Sequence, residues 1–244
     1  MNKQAVGDIA QIMRYPVKSF EGEALQEADV MHYGILGDRG RAVVDPSLQG
    51  WDRFFTARQA PELLSYKAEL AAPAAGAEGL PDVRITGPDG AEYRWDDALL
   101  TAVQRYSDRT LALETYDPKE EHLLGVDAEQ VLLLSDASLR ALAKQWGKKL
   151  DEVRFRPNLV VSLDEDKPLA ELDWIGKRVQ IGDTVLQVNK RCMRCVMITI
   201  DPDNLEKDPS LLKTLKDQEF CFGVYASVVE TGLIFVGDPV YVID

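Results

Sequence analysis

The chain has no uninterrupted apolar run of about 18 residues, so no segment of it reads as a membrane-spanning helix. Its opening residues, MNKQAVGDIAQIMRYP, lack the basic start, apolar stretch and small-residue cleavage site of a secretory signal. Cysteine is scarce: Cys192, Cys195 and Cys221 are the three in 244 residues, too few for a secreted disulfide framework. These absences lead us to expect a cytoplasmic protein with no membrane partner. Histidine is scarcer still, with His32 and His122 far apart, which leaves little support for a His-based triad or a His-rich metal site. Cations are outnumbered, 28 Lys and Arg against 41 Asp and Glu, for a net charge of −13. Such a chain repels nucleic acid unless its basic residues gather on one face. No basic stripe with interleaved aromatics is visible, so no nucleic-acid partner is expected. An anionic ligand, by the same logic, binds only where the scarce cations converge. The signatures GxGxxG after a strand, GxxxxGK[ST] and HExxH are all absent.

What remains is the composition of a globular protein, 45% apolar and 28% charged. Most regular segments read as short strands bounded by Gly, Pro or Asp turns. In the first half these are Asp8–Tyr15, Glu23–Met31, Arg41–Asp45, Leu64–Leu70, Val83–Thr86 and Glu92–Trp95. In the second half they are Val131–Leu134, Asn158–Leu163, Thr184–Lys190, Val196–Asp201, Tyr225–Glu230 and Val240–Ile243. Three helices interrupt them. Asp97 caps a helix with an apolar face of Leu99, Leu100, Val103 and Tyr106; Ser135 caps a helix stopped by Gly147; Asp208–Pro209 opens one carrying Leu211, Leu212 and Leu215. The expected class is therefore mainly β with a few helices, built as barrels or sandwiches and not as a doubly wound sheet. Ala71–Pro81, rich in Ala, Gly and Pro, reads as a surface loop. The polar stretch Tyr116–Gly125 breaks the pattern and places a boundary between 1–118 and 119–244.

Chemistry concentrates in Arg191-Cys192-Met193-Arg194-Cys195. With Lys190, three cations flank two thiols, a setting that favours the thiolate and thus a soft metal. Other readings stand beside this one. A thioredoxin-like pair should open a helix, whereas the residues after Cys195 look like a strand. Structural zinc needs about four ligands, and Cys221, His32 and His122 lack the spacing. Two small residues buried at a strand end is the plainest alternative. Lys18 and Ser19 fall in a turn after Pro16 and offer an ammonium, a hydroxyl and backbone N–H groups that suit a phosphate. Arg39 sits in the loop Gly37–Gly40, Thr56 and Arg58 in TARQ, Arg156 and Asn158 in RFRPN. Arginine suits phosphate, and amides suit the edge of a heterocycle.

Taken in order, YPVKS, GDR, TARQ, LLLSDASL, RFRPNLVV, IGDTVLQV, RCMRC, TIDPD and VGDPVYVI resemble the MOSC-domain proteins preceded by that family's N-terminal β-barrel domain. The likeness runs from about Ile9 to Ile243, and is nearest to the bacterial and mitochondrial amidoxime-reducing components. It implies a molybdenum cofactor, molybdenum on a pterin dithiolene, with Cys195 as the protein's ligand to the metal and the catalytic residue. It implies that Lys18, Ser19 and Arg39 grip the cofactor's phosphate, and that Thr56, Arg58, Ser135, Ser138, Arg156 and Asn158 line the pterin. A family-level association with pyridoxal phosphate comes with the resemblance. The implied activity is reduction of small N-hydroxylated substrates. No cluster of cysteines is left for an iron–sulfur centre, so electrons are expected from a separate donor protein of ferredoxin or cytochrome type with its reductase. The family's D-P-D-T-G appears as Asp201-Pro202-Asp203-Asn204-Leu205, a departure that bears on substrate preference. A sulfur carrier using a persulfide on Cys195 or Cys192 is the main alternative, and a metal-free module the other.

Overall fold

The computed structural model describes residues 3–72, 79–117 and 128–243. The expected boundary at 118/119 and most of the Ala71–Pro81 loop lie outside the described residues, as does His122. The first half contributes β1 (Lys3–Arg14), β2 (Glu23–Leu25), β3 (Glu27–Met31), β4 (Gly34–Ile35), β5 (Arg41–Val44), β6 (Lys67–Leu70), β7 (Val83–Thr86), β8 (Glu92–Tyr93) and β9 (Ala112–Thr115). Helix α1 (Asp97–Gln104) lies between the last two. The second half contributes β10 (Val131–Ser135), β11 (Leu159–Leu163), β12 (Arg178–Ile181), β13 (Thr184–Met193), β14 (Cys221–Glu230), β15 (Gly232–Phe235) and β16 (Pro239–Ile243). Its helices are α2 (Asp136–Trp146) and α3 (Pro209–Thr214).

Seven strands close a barrel in the order β1–β11–β10–β14–β13–β12–β16 and back to β1, with β2 added beside β1. Closure leaves no open edge, and alternate side chains fill the interior. Ile9, Ile12, Leu133, Val161, Val179, Leu186, Val188, Val224 and Val240 form that core. Within the ring only β10 and β11 run parallel. A parallel pair needs a crossover, and α2 with the 3-10 turn Glu152–Phe155 supplies it. The mainly β class expected from the sequence is the one observed. The first strand nonetheless belongs to a barrel whose other members all come from the second half, and β3 pairs with β15. The two halves are therefore interleaved. A second core (Val17, Phe20, Val43, Leu63, Tyr66, Ile85, Leu99 and Val103) packs α1 over the smaller first-half sheets.

Gly7 shows how tightly the barrel is drawn. Its φ is 151°, and a Cβ there would stand 1.9 Å from the Ser162 carbonyl oxygen on β11. Backbone cannot yield as a flexible side chain can, so Gly7→Ala is expected to cost at the upper end of about 1–3 kcal/mol. Urea unfolding would show the loss as a lower midpoint with unchanged slope.

Local signals at the helix ends were mostly legible. Ser135 caps α2, its oxygen accepting from the Ser138 N–H, and Gly147 ends it at φ 75°. Asp208 caps α3 through the Ser210 N–H. For α1 the cap is Asp96, not Asp97, because its carboxylate accepts from the Ala98 and Leu99 N–H groups. One strand expectation fails and another is shortened. Val196–Thr199 is a 3-10 turn, not the start of a strand, because β13 leaves the barrel at Met193 and Ile198 turns under α3 into a separate core with Leu211, Leu215 and Phe222. The strand expected over Leu64–Leu70 is present but shorter, as β6, because Leu64 and Ser65 belong to the 3-10 turn Pro61–Ser65. Four strands were not anticipated: β4, β9, β12 and β15 are each of four residues or fewer.

Candidate functional site

At the mouth of the barrel the chain leaves β1 through Tyr15 and Pro16 and turns at Lys18 and Ser19. The Lys18 N–H donates to the Arg41 carbonyl (2.9 Å), which fixes the turn against β5. Lys18 and Ser19 are both buried, and the Lys18 ammonium lies 5.1 Å from the Trp51 ring and 5.3 Å from that of Phe54. Across from them stands Tyr15, fully buried, its ring flanked by the guanidinium groups of Arg156 (4.1 Å) and Arg39 (4.9 Å). Gly22 makes room for that ring, since a Cβ there would fall 2.5 Å from it. Burial pushes the Tyr15 phenol well above its ordinary range, although Arg156 and Arg39 pull it down, so it serves the cations as a neutral slab.

Arg39 is held by four partners: the Asp38 carboxylate, the Arg156 carbonyl (2.9 Å), the Asn158 Oδ1 (3.2 Å) and, through its backbone N–H, the Tyr15 carbonyl (2.6 Å). Burial is the largest single influence and opposes its charge, but Asp38, Tyr15 and Tyr225 together outweigh it and Arg39 is held above its ordinary value. Asp38 is anchored in turn, because its other oxygen accepts from the Tyr15 N–H (2.8 Å). Ser19, Arg39 and Arg156 all adopt left-handed backbone, with φ of 69°, 48° and 53°. Each such residue costs on the order of 1–2 kcal/mol, and strain of this kind gathers at functional sites.

From the other side the cleft is closed by Arg154, Arg194 and the two cysteines. Arg194 is buried and donates to the Phe222 carbonyl (2.8 Å) and the Phe155 carbonyl (3.0 Å). Its remaining Nη2 is buried with no hydrogen-bond partner among the described residues. Cys192 is buried at the end of β13, whereas Cys195 is exposed as the residue before the 3-10 turn. The flanking cations behave differently from the sequence expectation. Lys190 pairs with Glu129 (3.1 Å) and Arg191 with Glu219 (3.0 Å), and Arg194 turns inward.

Eight of the residues singled out from the sequence line this one cleft: Lys18, Ser19, Arg39, Thr56, Arg58, Arg156, Asn158 and Cys195. Ser135 and Ser138 do not. Both hydroxyls donate to the buried Glu171 carboxylate (2.8 and 2.9 Å), because capping α2 turns them into the layer beneath that helix. Asn158 reaches the cleft with its amide already engaged, donating to the Met13 carbonyl and accepting from the Leu132 N–H and Arg39. Arg154 and Arg194 were not among the residues singled out as binding. Their motifs were visible, but nothing local distinguishes an arginine turned inward from one turned to solvent. In all, six cations face the cleft against one carboxylate, that of Glu129, in a chain of net charge −13. That balance, a buried guanidinium with an unused N–H and an exposed thiol fit a ligand that combines an anionic group with a soft metal.

Fold and cleft together define a closed β-barrel protein with a cationic, cysteine-bearing opening. Residues 120–241 match the MOSC domain and residues 6–121 match the MOSC N-terminal beta barrel domain. The chain belongs to the MOSC family. Along 98% of its length it is 30% identical to human mitochondrial amidoxime-reducing component 1, covering 84% of that protein. It is 29% identical to the mouse protein of the same name and 30% to rat mitochondrial amidoxime reducing component 2, again along 98% of the chain, covering 83% and 84% of those proteins. The crystal structure of the YUAD protein from Bacillus subtilis shares the fold at a TM-score of 0.52 and 14% identity, over 99% of this chain and 97% of that one.

These relatives overturn the cytoplasmic expectation, since they are named as mitochondrial. Few cysteines argue only against an oxidising compartment, and that argument does not separate the cytoplasm from other reducing compartments. Among the described residues no helix is long and apolar enough to cross a membrane.

Proposed function

We propose that the chain binds a molybdenum–pterin cofactor in this cleft and reduces small N-hydroxylated substrates with electrons from a separate donor protein. The observation that carries the reading is the cleft itself: eight family-type residues converge on it from both halves of the chain, around an exposed Cys195. Likeness to amidoxime-reducing components along nearly the whole chain supports it. In this reading 1–118 and 119–244 act as the two halves that face each other across the cofactor.

Lys18, Arg39, Arg58 and Arg156 hold the anionic part, joined by the inward-facing Arg154 and Arg194. Ser19 and Thr56 supply hydroxyls, and Asn158 holds Arg39 in place. Cys195 gives the metal a thiolate. Among the described residues no group of three His, Cys, Asp or Glu could hold a metal ion; in a cofactor of the kind the family resemblance implies, the pterin dithiolene would supply the remaining donors. When bound, the group supplies two-electron redox chemistry at a soft metal. The substrate's N–O bond breaks, two electrons and two protons are taken up, and an N–H product and water leave. The reading is tested on protein from a host that makes the cofactor: near-stoichiometric molybdenum and viologen-driven reduction of an amidoxime are expected. Metal-free, inactive protein beside loaded controls would end it.

Ser135 and Ser138 have no part in this site. Ser138→Ala is expected to lower stability by about 1–3 kcal/mol, because the buried Glu171 carboxylate loses a donor, while molybdenum content stays at the wild-type level. Elemental analysis beside thermal unfolding checks both halves of that expectation. The exposure of Cys195 also favours a second reading, a persulfide carrier that presents sulfur to an acceptor. Stable sulfane sulfur on Cys195 in molybdenum-free protein would favour it over the first.

A further inference from the structure

The family's D-P-D-T-G ends on glycine, and in this chain Leu205 stands at that place. Leu205 has a φ of 63°, the left-handed region that glycine enters freely and a branched side chain does not. The loop around it is strapped at its base. The Asp201 N–H donates to the Glu206 carbonyl (2.8 Å), and the Leu205 N–H donates to the Asp201 carbonyl (2.9 Å). One Asp201 carboxylate oxygen accepts from the Asp203 N–H (3.0 Å), and the other pairs with Arg154 of the cleft. The turn keeps a glycine-type geometry, and a leucine is held in it.

The contacts of that side chain give the strain a use. Leu205 is half-buried against a small apolar cluster of Ala57, Leu64, Met197 and Ile200. Ala57 and Leu64 come from the first half of the chain, Met197 and Ile200 from the second. Ala57 is fully buried between Thr56 and Arg58, which line the cleft. Met197 lines the cleft from the turn that follows Cys195. The cluster is therefore a seam between the two walls. It is thinly packed, since a crevice lined by Leu64, Met197, Ile200 and Pro202 runs along it. Strained backbone persists where the surroundings require it, and a glycine at this place would leave the seam without its bridging side chain.

We infer that Leu205 is a positioning residue that clamps the Thr56–Arg58 loop to the turn after Cys195 and so fixes the spacing of the cleft's two walls. The clamp is a property of the chain alone. Its consequence, slower loss of the bound group, rests on the proposed cofactor reading, in which Thr56 and Arg58 hold that group from one wall and Cys195 from the other. The departure from the family motif beyond Asp203 then bears on how firmly the cofactor is retained.

Hydrogen exchange on the cofactor-free full chain tests the clamp. The Gln59 and Ala60 N–H groups donate to the Thr56 carbonyl (2.9 and 3.1 Å) and report opening of that loop, whereas the Ile9 N–H, bonded to the Asp238 carbonyl (2.9 Å), reports the barrel. In Leu205→Gly, exchange at Gln59 and Ala60 is expected to rise about tenfold, as for loss of one partly buried leucine contact that resists a local opening, with no change at Ile9. Relief of the left-handed strain offsets part of the lost packing, so the thermal midpoint should stay close to wild type. Leu205→Asn, which tolerates left-handed backbone but lacks apolar reach, should behave in the same way, and Leu205→Met should exchange as wild type. In protein from a host that makes the cofactor, molybdenum should leave Leu205→Gly about tenfold faster than wild type on dialysis, and Leu205→Met should retain it. Unchanged exchange at Gln59 and Ala60 in both Leu205→Gly and Leu205→Asn would overturn the clamp. A rise of equal size at Ile9 would overturn it too, by making Leu205 a support of the whole fold. Faster loop exchange with molybdenum lost at the wild-type rate would overturn its role at the site. Faster loop exchange in a protein whose wild type takes up no molybdenum would uphold the clamp and overturn the cofactor reading.

Discussion

Replacing Cys195 by alanine is expected to lower amidoxime reduction by more than about a hundredfold in protein that still folds as wild type. Changes in the groups that merely support a metal ligand cost roughly 10–100-fold, and loss of the ligand itself should exceed that. The variant is informative because the fold asks little of this side chain. Cys195 is exposed and makes no side-chain capping bond to the turn that follows it. Removing such a group should change stability by no more than about 0.5 kcal/mol. Cys192 provides the contrast. It is 1% exposed at the end of β13, so Cys192→Ala should cost stability through lost packing while keeping more of the metal. Molybdenum content, reductase rate and unfolding midpoint, measured on both variants, separate the two thiols. Full activity in Cys195→Ala would remove the ligand assignment.

The second large effect is on stability. Asp38→Ala is expected to destabilise the protein by about 3–5 kcal/mol, the range for breaking a buried ion pair by deleting one partner. Asp38 is 4% exposed; one oxygen accepts from the Tyr15 N–H and the other pairs with Arg39. Without it the Arg39 guanidinium stays buried between the Tyr15 ring and Asn158 with its charge uncompensated. That loss is a large part of the roughly 5–15 kcal/mol that holds a typical domain together. Asp38→Asn keeps an acceptor for the Tyr15 N–H and should fall between wild type and alanine. Combining Asp38→Ala with Arg39→Met should recover part of the stability, because the orphaned charge is gone. Urea unfolding of the four proteins checks the series, and a loss under about 1 kcal/mol in Asp38→Ala would mean that water reaches Arg39 freely.

Both effects depend on features that differ in how far they could be read beforehand. The thiol pair and the YPVKS, GDR, TARQ and RFRPN motifs are legible as residue types, and the structure brings the eight residues singled out in them as binding or catalytic to one opening. The motif LLLSDASL was equally legible, yet its serines serve the α2 cap and Glu171. The cap signal and the ligand signal use the same hydroxyls, and only the direction of the helix decides between them. Val196–Asp201 carries β-branched residues that favour a strand, but packing of Ile198 beneath α3 overrides that preference. The buried, outwardly similar arginines Arg154 and Arg194 give no local sign of their direction.

By itself the sequence determined most of the longer strands, the caps at Ser135 and Asp208, the stop at Gly147, and the scarcity of cations that makes their convergence meaningful. These follow from period-two patterning, from hydrogen bonds within a few residues, and from composition. Only the tertiary structure decided that β1 closes a barrel made by the second half, that Arg194 turns inward while Lys190 and Arg191 pair with surface carboxylates, and that Asp38 fixes Arg39 beside Asn158. Apart from the Asp38–Arg39 pair itself, which joins neighbours in sequence, those outcomes rest on partners more than about twenty residues away in the chain, and burial is set by such partners.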